Sequence, residues 1–245
     1  PGIPEHILER LVNDFEVTPG QPESIHISYQ NQPITRILSK MLPPEAQPPP
    51  SSYEQIGHVA HVNLRQPHLS HKRLIGRVML DRLQPSIRTV VNKLGEVGGP
   101  YRTYQIDLIA GDDDYFVHVI EHGVSLFFDL RKVYWCTRLE GERTYMIQNE
   151  FQPNQLIADA FCGVGALCIR AATGKGCRVL ANDLNPDAVE YCKGSAGGNG
   201  IDISQNGKFQ VQCGDAGQFI MNLGMGVSES STSKKSGVSS LPDHL

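Results

Sequence analysis

The chain has 245 residues, 40% of them hydrophobic and 20% charged, which is enough apolar material for a sizeable core and excludes a disordered chain or a collagen-like fibre. Lys and Arg total 22 against 26 Asp and Glu, a formal charge of −4, so a nucleic-acid partner has to be held by a local basic patch. No apolar run approaches the roughly 20 residues of a membrane span. Six cysteines without a CxxC pair read as reduced thiols and not as a disulfide frame or zinc site. The chain opens on Pro1 without a basic-then-apolar leader, the pattern expected of a trimmed intracellular protein.

After Pro4, the residues Ile7, Leu8, Leu11, Val12 and Phe15 fall on one stripe of a helix. A second short helix is expected over Ile34, Ile37, Leu38, Met41 and Leu42, ending at a run over 43–50 in which five of eight residues are proline. That composition predicts an extended linker. From Tyr53 onward the texture changes. Ile56, His58, Ala60, Val62 and Leu64 alternate as in one strand, 69–83 reads as a helix, and strands are expected at 103–110, 115–121 and 124–130.

A third texture begins near residue 154. Leu156 to Phe161 is a buried-strand run, followed by a glycine turn at Gly163 and Gly165 and a helix to about Ala172. A strand at 178–183, a helix from Pro186 and a strand at 209–215 follow. Strand and helix alternating at this spacing predict an α/β fold with a parallel, doubly wound sheet, incomplete because only about three strands are present. Residues 224–245 hold seven serines in 22 positions without periodicity and read as a flexible insertion or tail.

The turn from Asp159 through Phe161, Gly163 and Gly165 lets backbone approach a ligand beside a helix start. As a dinucleotide fingerprint it is defective, since Cys168 replaces the third glycine, which disfavours an NAD site. Asp183, 24 residues after Asp159, is placed to accept ribose hydroxyls, and Asp215 ends the third strand. Three acidic strand ends on one sheet edge are hard to explain as core packing. This set resembles the class I S-adenosylmethionine-dependent methyltransferases. The resemblance implies that Asp159 to Gly165 cradle the methionine part, Asp183 holds the ribose beside Leu184 and Asn185, and Asp215 with Ala216 reaches the adenine.

Tyr134, Arg138 and Glu142 recur every four residues, so a helix would stack them on one face. A solvated, salt-bridging face is the plain reading of that pattern. A chemical reading also fits: methylating a protonated ring nitrogen needs a base for the proton and a cation for the charge that moves onto the neighbouring carbonyl oxygen.

Together with His61 to Arg65, Val90 to Lys93, Lys132 to Trp135 and Asn182 to Pro186, these residues are similar to the archaeal–eukaryotic tRNA (guanine-N1) methyltransferases over roughly 160 of 245 residues. Those enzymes modify the guanine 3′ of the anticodon. The resemblance implies Glu142 as general base, Arg138 and Arg102 positioning guanine and stabilising its O6, Tyr134 shaping the pocket, and Arg143 near the cofactor S-adenosylmethionine. It also implies a class I methyltransferase domain over 133–223, preceded by a small α+β RNA-contacting domain over 53–132 and a helical segment with linker over 1–52. The implied partner is tRNA, bound by a monomer away from membranes, and the implied location is the cytoplasm, nucleus or mitochondrial matrix. Two departures stand out: 194–200 is richer in glycine than the family's helix there, and the family's Asn-Leu-Pro motif is absent. Leu241 to Leu245 reads as the start of a fourth strand cut short of that motif, so this fragment is expected to bind tRNA weakly without turnover.

Seven Lys and Arg (65, 72, 73, 77, 82, 88, 93) against one acid, Asp81, within 65–93 favour phosphate contact. Two other functions remain open: the related wybutosine-pathway aminocarboxypropyl transfer, which the Arg138 and Glu142 pair argues against, and a non-catalytic RNA- or cofactor-binding remnant.

Overall fold

The alternation over 56–64 resolves into a hairpin and not one strand. Gly57 adopts φ +57°, the left-handed conformation that glycine tolerates without Cβ strain, and turns β1 (Glu54–Ile56) antiparallel onto β2 (Val59–Val62). The computed structural model describes residues 4–15, 27–204 and 207–223; the expectations for 224–245, the fourth strand included, lie outside them.

Two compact units divide at Pro33 and Ile34. In the first, helix α1 (Glu5–Phe15) carries the expected apolar stripe, yet none of its residues is buried. The second unit begins with α2 (Ile34–Met41). Its Ile37 and Leu38 join Leu42 and Ala46 in one core with Ala60, Val62, Ile75, Met79 and Val90. The proline run is therefore packed and not an extended linker: a 3-10 turn at Pro44–Ala46 buries Ala46 in that core.

Helix α3 (Lys72–Leu83) lies on a four-stranded sheet ordered β1-β2-β3-β4, with β3 at Thr89–Gly98 and β4 at Thr103–Gly111. Gly76 makes the close approach possible, since a Cβ there would meet the Ile109 side chain at 2.9 Å. β3 pairs parallel with β2 and antiparallel with β4, and its Val90 and Val91 feed different cores.

The hairpin of β5 (Phe116–Glu121) and β6 (Val124–Asp129), expected as part of the small domain, packs mainly on the helices that flank the sheet that follows. Leu126 and Phe128 share a core with Trp135, Cys168, Ile169, Val179 and Phe209, and Ile56, Val59 and Val91 of the first sheet enter the same core. Strands β7 (Leu156–Asp159), β8 (Arg178–Asp183) and β9 (Phe209–Cys213) form the expected parallel sheet in that order. Helix α5 (Ala166–Lys175) connects β7 to β8, and α6 (Pro186–Gly198) connects β8 to β9. Despite its glycines, α6 is continuous, and its small residues let it approach β6. Ser195 Oγ accepts from Phe127 N at 3.1 Å, and Asn199 exchanges two hydrogen bonds with the Ser125 backbone, at 3.0 and 2.7 Å. These side chains satisfy backbone groups on the β6 edge that pairs with no further strand. No helix among the described residues is long and apolar enough to cross a membrane.

Candidate active site

The carboxyl ends of β7, β8 and β9 are tied together by one residue. Asn182, fully buried on β8, donates to Ala160 O at 3.2 Å and Gly214 O at 2.9 Å. Its backbone carbonyl accepts from Cys162 N at 2.9 Å. This fixes the turn after β7. Gly163 (φ +54°) and Gly165 (φ +92°) both lie in the left-handed region, and a Cβ on Gly165 would strike Cys192 Sγ at 2.8 Å.

Asp183 closes the turn. One carboxylate oxygen accepts from Gly163 N at 2.8 Å and the other from Asn185 N at 2.9 Å. Asn185 in turn caps α6 by accepting from Asp187 N at 3.0 Å, and donates to Lys132 O at 2.7 Å. Burial raises the Asp159 carboxyl above its ordinary pKa; the Phe161 N–H opposes this and the Asp183 charge adds to it. Phe161 and Leu184 are exposed apolar side chains at this edge. Asp215 is exposed and accepts from Gln218 N at 2.9 Å, capping the helical residues 216–223 with Ala216 at its start.

Tyr134, Arg138 and Glu142 do not share one helix. Cys136 is extended (φ −144°), so Tyr134 precedes the helical run. Arg138 lies in a 3-10 turn (Thr137–Leu139), and Glu142 in α4 (Glu140–Tyr145). The residues fall on two cavities with a common wall of Tyr134, Trp135 and Cys136. One, of about 240 Å³, adds Glu142, Arg143, Asp159, Phe161 and Gly163. The other, of about 650 Å³, adds Arg138 with Tyr53, Glu54, His61, Asn63 and Lys93. No ion pair joins Arg138 to Glu142 among the described residues, contrary to a salt-bridging helix face. Arg102 lies in the turn before β4 at φ +54° and not on a strand; its guanidinium stands 5.9 Å from the Tyr134 ring centroid. Burial, then the neighbouring Cys136, raises the Tyr134 phenol.

Arg143 is anchored from behind. Its Nε and one terminal nitrogen donate to the Glu121 carboxylate at 2.8 and 2.5 Å, and Arg170 donates to the same carboxylate at 2.6 Å. The Arg143 guanidinium lies 5.1 Å from the Trp135 ring centroid. Burial alone would raise the Glu121 carboxyl, but the two guanidinium groups hold it below its ordinary range. The sequence reading missed Glu121 and Arg170, because no local spacing marks a contact made across 49 residues. The 240 Å³ cavity does not take in Gly165, Asp183, Leu184, Asn185, Asp215 or Ala216; these stand along the same sheet edge outside its lining.

The basic patch is partly self-neutralised. Lys72 pairs with Asp107 at 2.6 Å, Arg77 with Asp81 at 3.1 Å and Arg88 with Asp114 at 3.3 Å, while Arg73 donates to Leu108 O at 3.0 Å. The acids at 107 and 114 lie beyond the window in which the lopsided charge was counted. No group of three His, Cys, Asp or Glu suited to a metal occurs among the described residues.

Residues 34–114 match the TYW2 N-terminal domain, and 117–222 match the TRM5/TYW2 methyltransferase domain. A protein of Phaeodactylum tricornutum named tRNA (guanine(37)-N(1))-methyltransferase 2 is 44% identical over 221 residues, covering 89% of this chain and 37% of the relative. A tRNA (guanine(37)-N(1))-methyltransferase of Coprinopsis cinerea is 35% identical over 227 residues, covering 87% and 48%. The chain thus spans less than half the length of these relatives. Among solved structures, wild-type Trm5b of Pyrococcus abyssi is similar with a TM-score of 0.59 and 28% identity, over 68% of this chain and 48% of that one. The expected class I methyltransferase architecture agrees with that likeness. The chain belongs to the TRM5/TYW2 methyltransferase family, its methyltransferase domain preceded by a TYW2-type N-terminal domain.

Proposed function

We propose that the protein carrying this chain methylates N1 of the guanine 3′ of the anticodon in tRNA, with S-adenosylmethionine as methyl donor. The observation that carries the reading is the 240 Å³ cavity, in which Glu142 and Arg143 face the glycine turn of Asp159, Phe161 and Gly163. The residues fit that cofactor. Asp159 and Asp183 offer acceptors for its ammonium and ribose hydroxyls, and Phe161 and Leu184 offer exposed apolar surface to its adenine. The cofactor, when bound, supplies an electrophilic methyl group.

The chain's own residues do the rest. Glu142 accepts the N1 proton as the N1–methyl bond forms, so that no charged base is left behind. Arg138, which shares a cavity with Tyr134, and Arg102, whose guanidinium stands 5.9 Å from that ring, stabilise charge on O6, and Tyr134 supports the base. Arg143, its orientation fixed by Glu121, borders the cofactor. Lys93, which lines the larger cavity, and Arg65, which lines a neighbouring cavity together with Lys93, contact phosphate.

The N-terminal match is named for TYW2, which keeps aminocarboxypropyl transfer from the same cofactor as a second reading. Mass spectrometry of tRNA treated with the complete protein and S-adenosylmethionine tests the assignment. A single methyl on guanine supports it, and the larger adduct selects the second reading.

A further inference from the structure

Besides Arg138, the 650 Å³ groove on the other side of the Tyr134, Trp135 and Cys136 wall is lined by residues the methyl-transfer chemistry does not use. Tyr53 is 41% exposed and Tyr134 40% exposed. Lys93 and Arg138 supply cations to the groove lining, and Glu54 a carboxylate. Glu54 is built in: one carboxylate oxygen accepts from Thr137 N at 2.9 Å, and the other lies 3.8 Å from His61 Nδ1. Its side chain keeps 28% exposure, so the groove reaches it.

Aromatic faces interleaved with cations bind single-stranded nucleic acid by stacking and phosphate contact. A fixed carboxylate adds discrimination, because it repels phosphate and accepts only from a donor edge. Among base edges, the amino groups of guanine, adenine and cytosine meet that need, whereas uracil presents two carbonyls around its imino group. The neighbouring His61 outweighs burial and, with the Thr137 N–H, lowers the Glu54 pKa to about 2, so the carboxylate is an acceptor throughout the neutral range.

We propose that this groove holds the nucleotide adjacent, along the RNA chain, to the one whose base enters the catalytic cavity, and that it prefers a base bearing an amino group. The proposal rests on the tRNA reading above. The shared wall supplies the geometry, since neighbouring nucleotides splayed out of a loop would straddle Tyr134 and Trp135. Unstacked loop bases read by their edges are the usual targets of sequence-specific RNA contacts.

The test uses the complete protein and a stem-loop RNA carrying the target guanine, with affinity read by fluorescence anisotropy. An abasic residue placed on one side of the target guanine should weaken wild-type binding about tenfold, and Tyr53→Ala should weaken binding of the intact RNA similarly. Combining the two should give no further loss. Glu54→Gln should abolish the preference for an amino-bearing base over uracil at that neighbour, because an amide presents a donor as well as an acceptor. Both variants should keep wild-type affinity for S-adenosylmethionine by calorimetry, which reports an intact fold. Fully additive losses, or wild-type affinity in Tyr53→Ala, would overturn this inference alone. No binding of the stem-loop by the wild type would overturn the tRNA reading as well.

Discussion

Arg143 and Glu121 form a bidentate ion pair, 2.8 and 2.5 Å, between a helix that borders the 240 Å³ cavity and the end of β5. The Glu121 side chain is only 3% exposed and also holds Arg170. Removing its charge leaves two guanidinium groups facing each other with little water, and breaking a buried pair in this way typically costs about 3–5 kcal/mol. Glu121→Gln should therefore lower the midpoint of thermal unfolding strongly. A midpoint within a degree or two of wild type would show that solvent reaches these arginines.

Among the described residues, no hydrogen bond or ion pair holds the Glu142 side chain, which separates chemistry from folding. Glu142→Gln should reduce single-turnover methyl transfer by about 10²–10⁴, the usual range for loss of a general base, with unchanged melting and cofactor affinity. A wild-type rate would remove Glu142 from the mechanism.

Asp183 joins β8 to the glycine turn through Gly163 N. Asp183→Ala should weaken S-adenosylmethionine binding in calorimetry while leaving tRNA affinity nearly intact, because the change loosens the turn and deletes a hydroxyl acceptor. Unchanged cofactor affinity would reduce Asp183 to a turn-capping role.

Glu54 gives a pH signature. Its folded pKa of about 2 lies below the ordinary 4.5, so its contribution to stability is present in full above the unfolded value. That contribution is lost as pH falls from about 4.5 toward 2. Wild type should lose more stability over that range than Glu54→Gln, as measured by urea unfolding at several pH values. Parallel pH profiles would contradict the pairing with His61 and Thr137.

The parts readable from the sequence were those set by local rules. The turn from Asp159 to Gly165 and the Asn182 to Pro186 segment announce themselves through glycine spacing and a helix cap beside proline. β3 escaped because Val90 and Val91 feed opposite cores, so no alternation shows. The periodicity of Tyr134, Arg138 and Glu142 suggested one helix, but the extended Cys136 splits it. The basic stretch looked unpaired only because Asp107 and Asp114, which neutralise Lys72 and Arg88, lie far along the chain. Pairings of this kind, like Glu121 with Arg170, belong to tertiary structure and leave no mark in residue spacing.

Methyl transfer to N1 of a tRNA guanine is read most directly by nucleoside mass spectrometry. A tRNA transcript would be incubated with the complete protein and S-adenosylmethionine, alongside a transcript in which the guanine 3′ of the anticodon is replaced by adenine. N1-methylguanosine is expected from the first transcript and none from the second. An aminocarboxypropyl adduct, or a methyl group that persists in the adenine-bearing transcript, would contradict it.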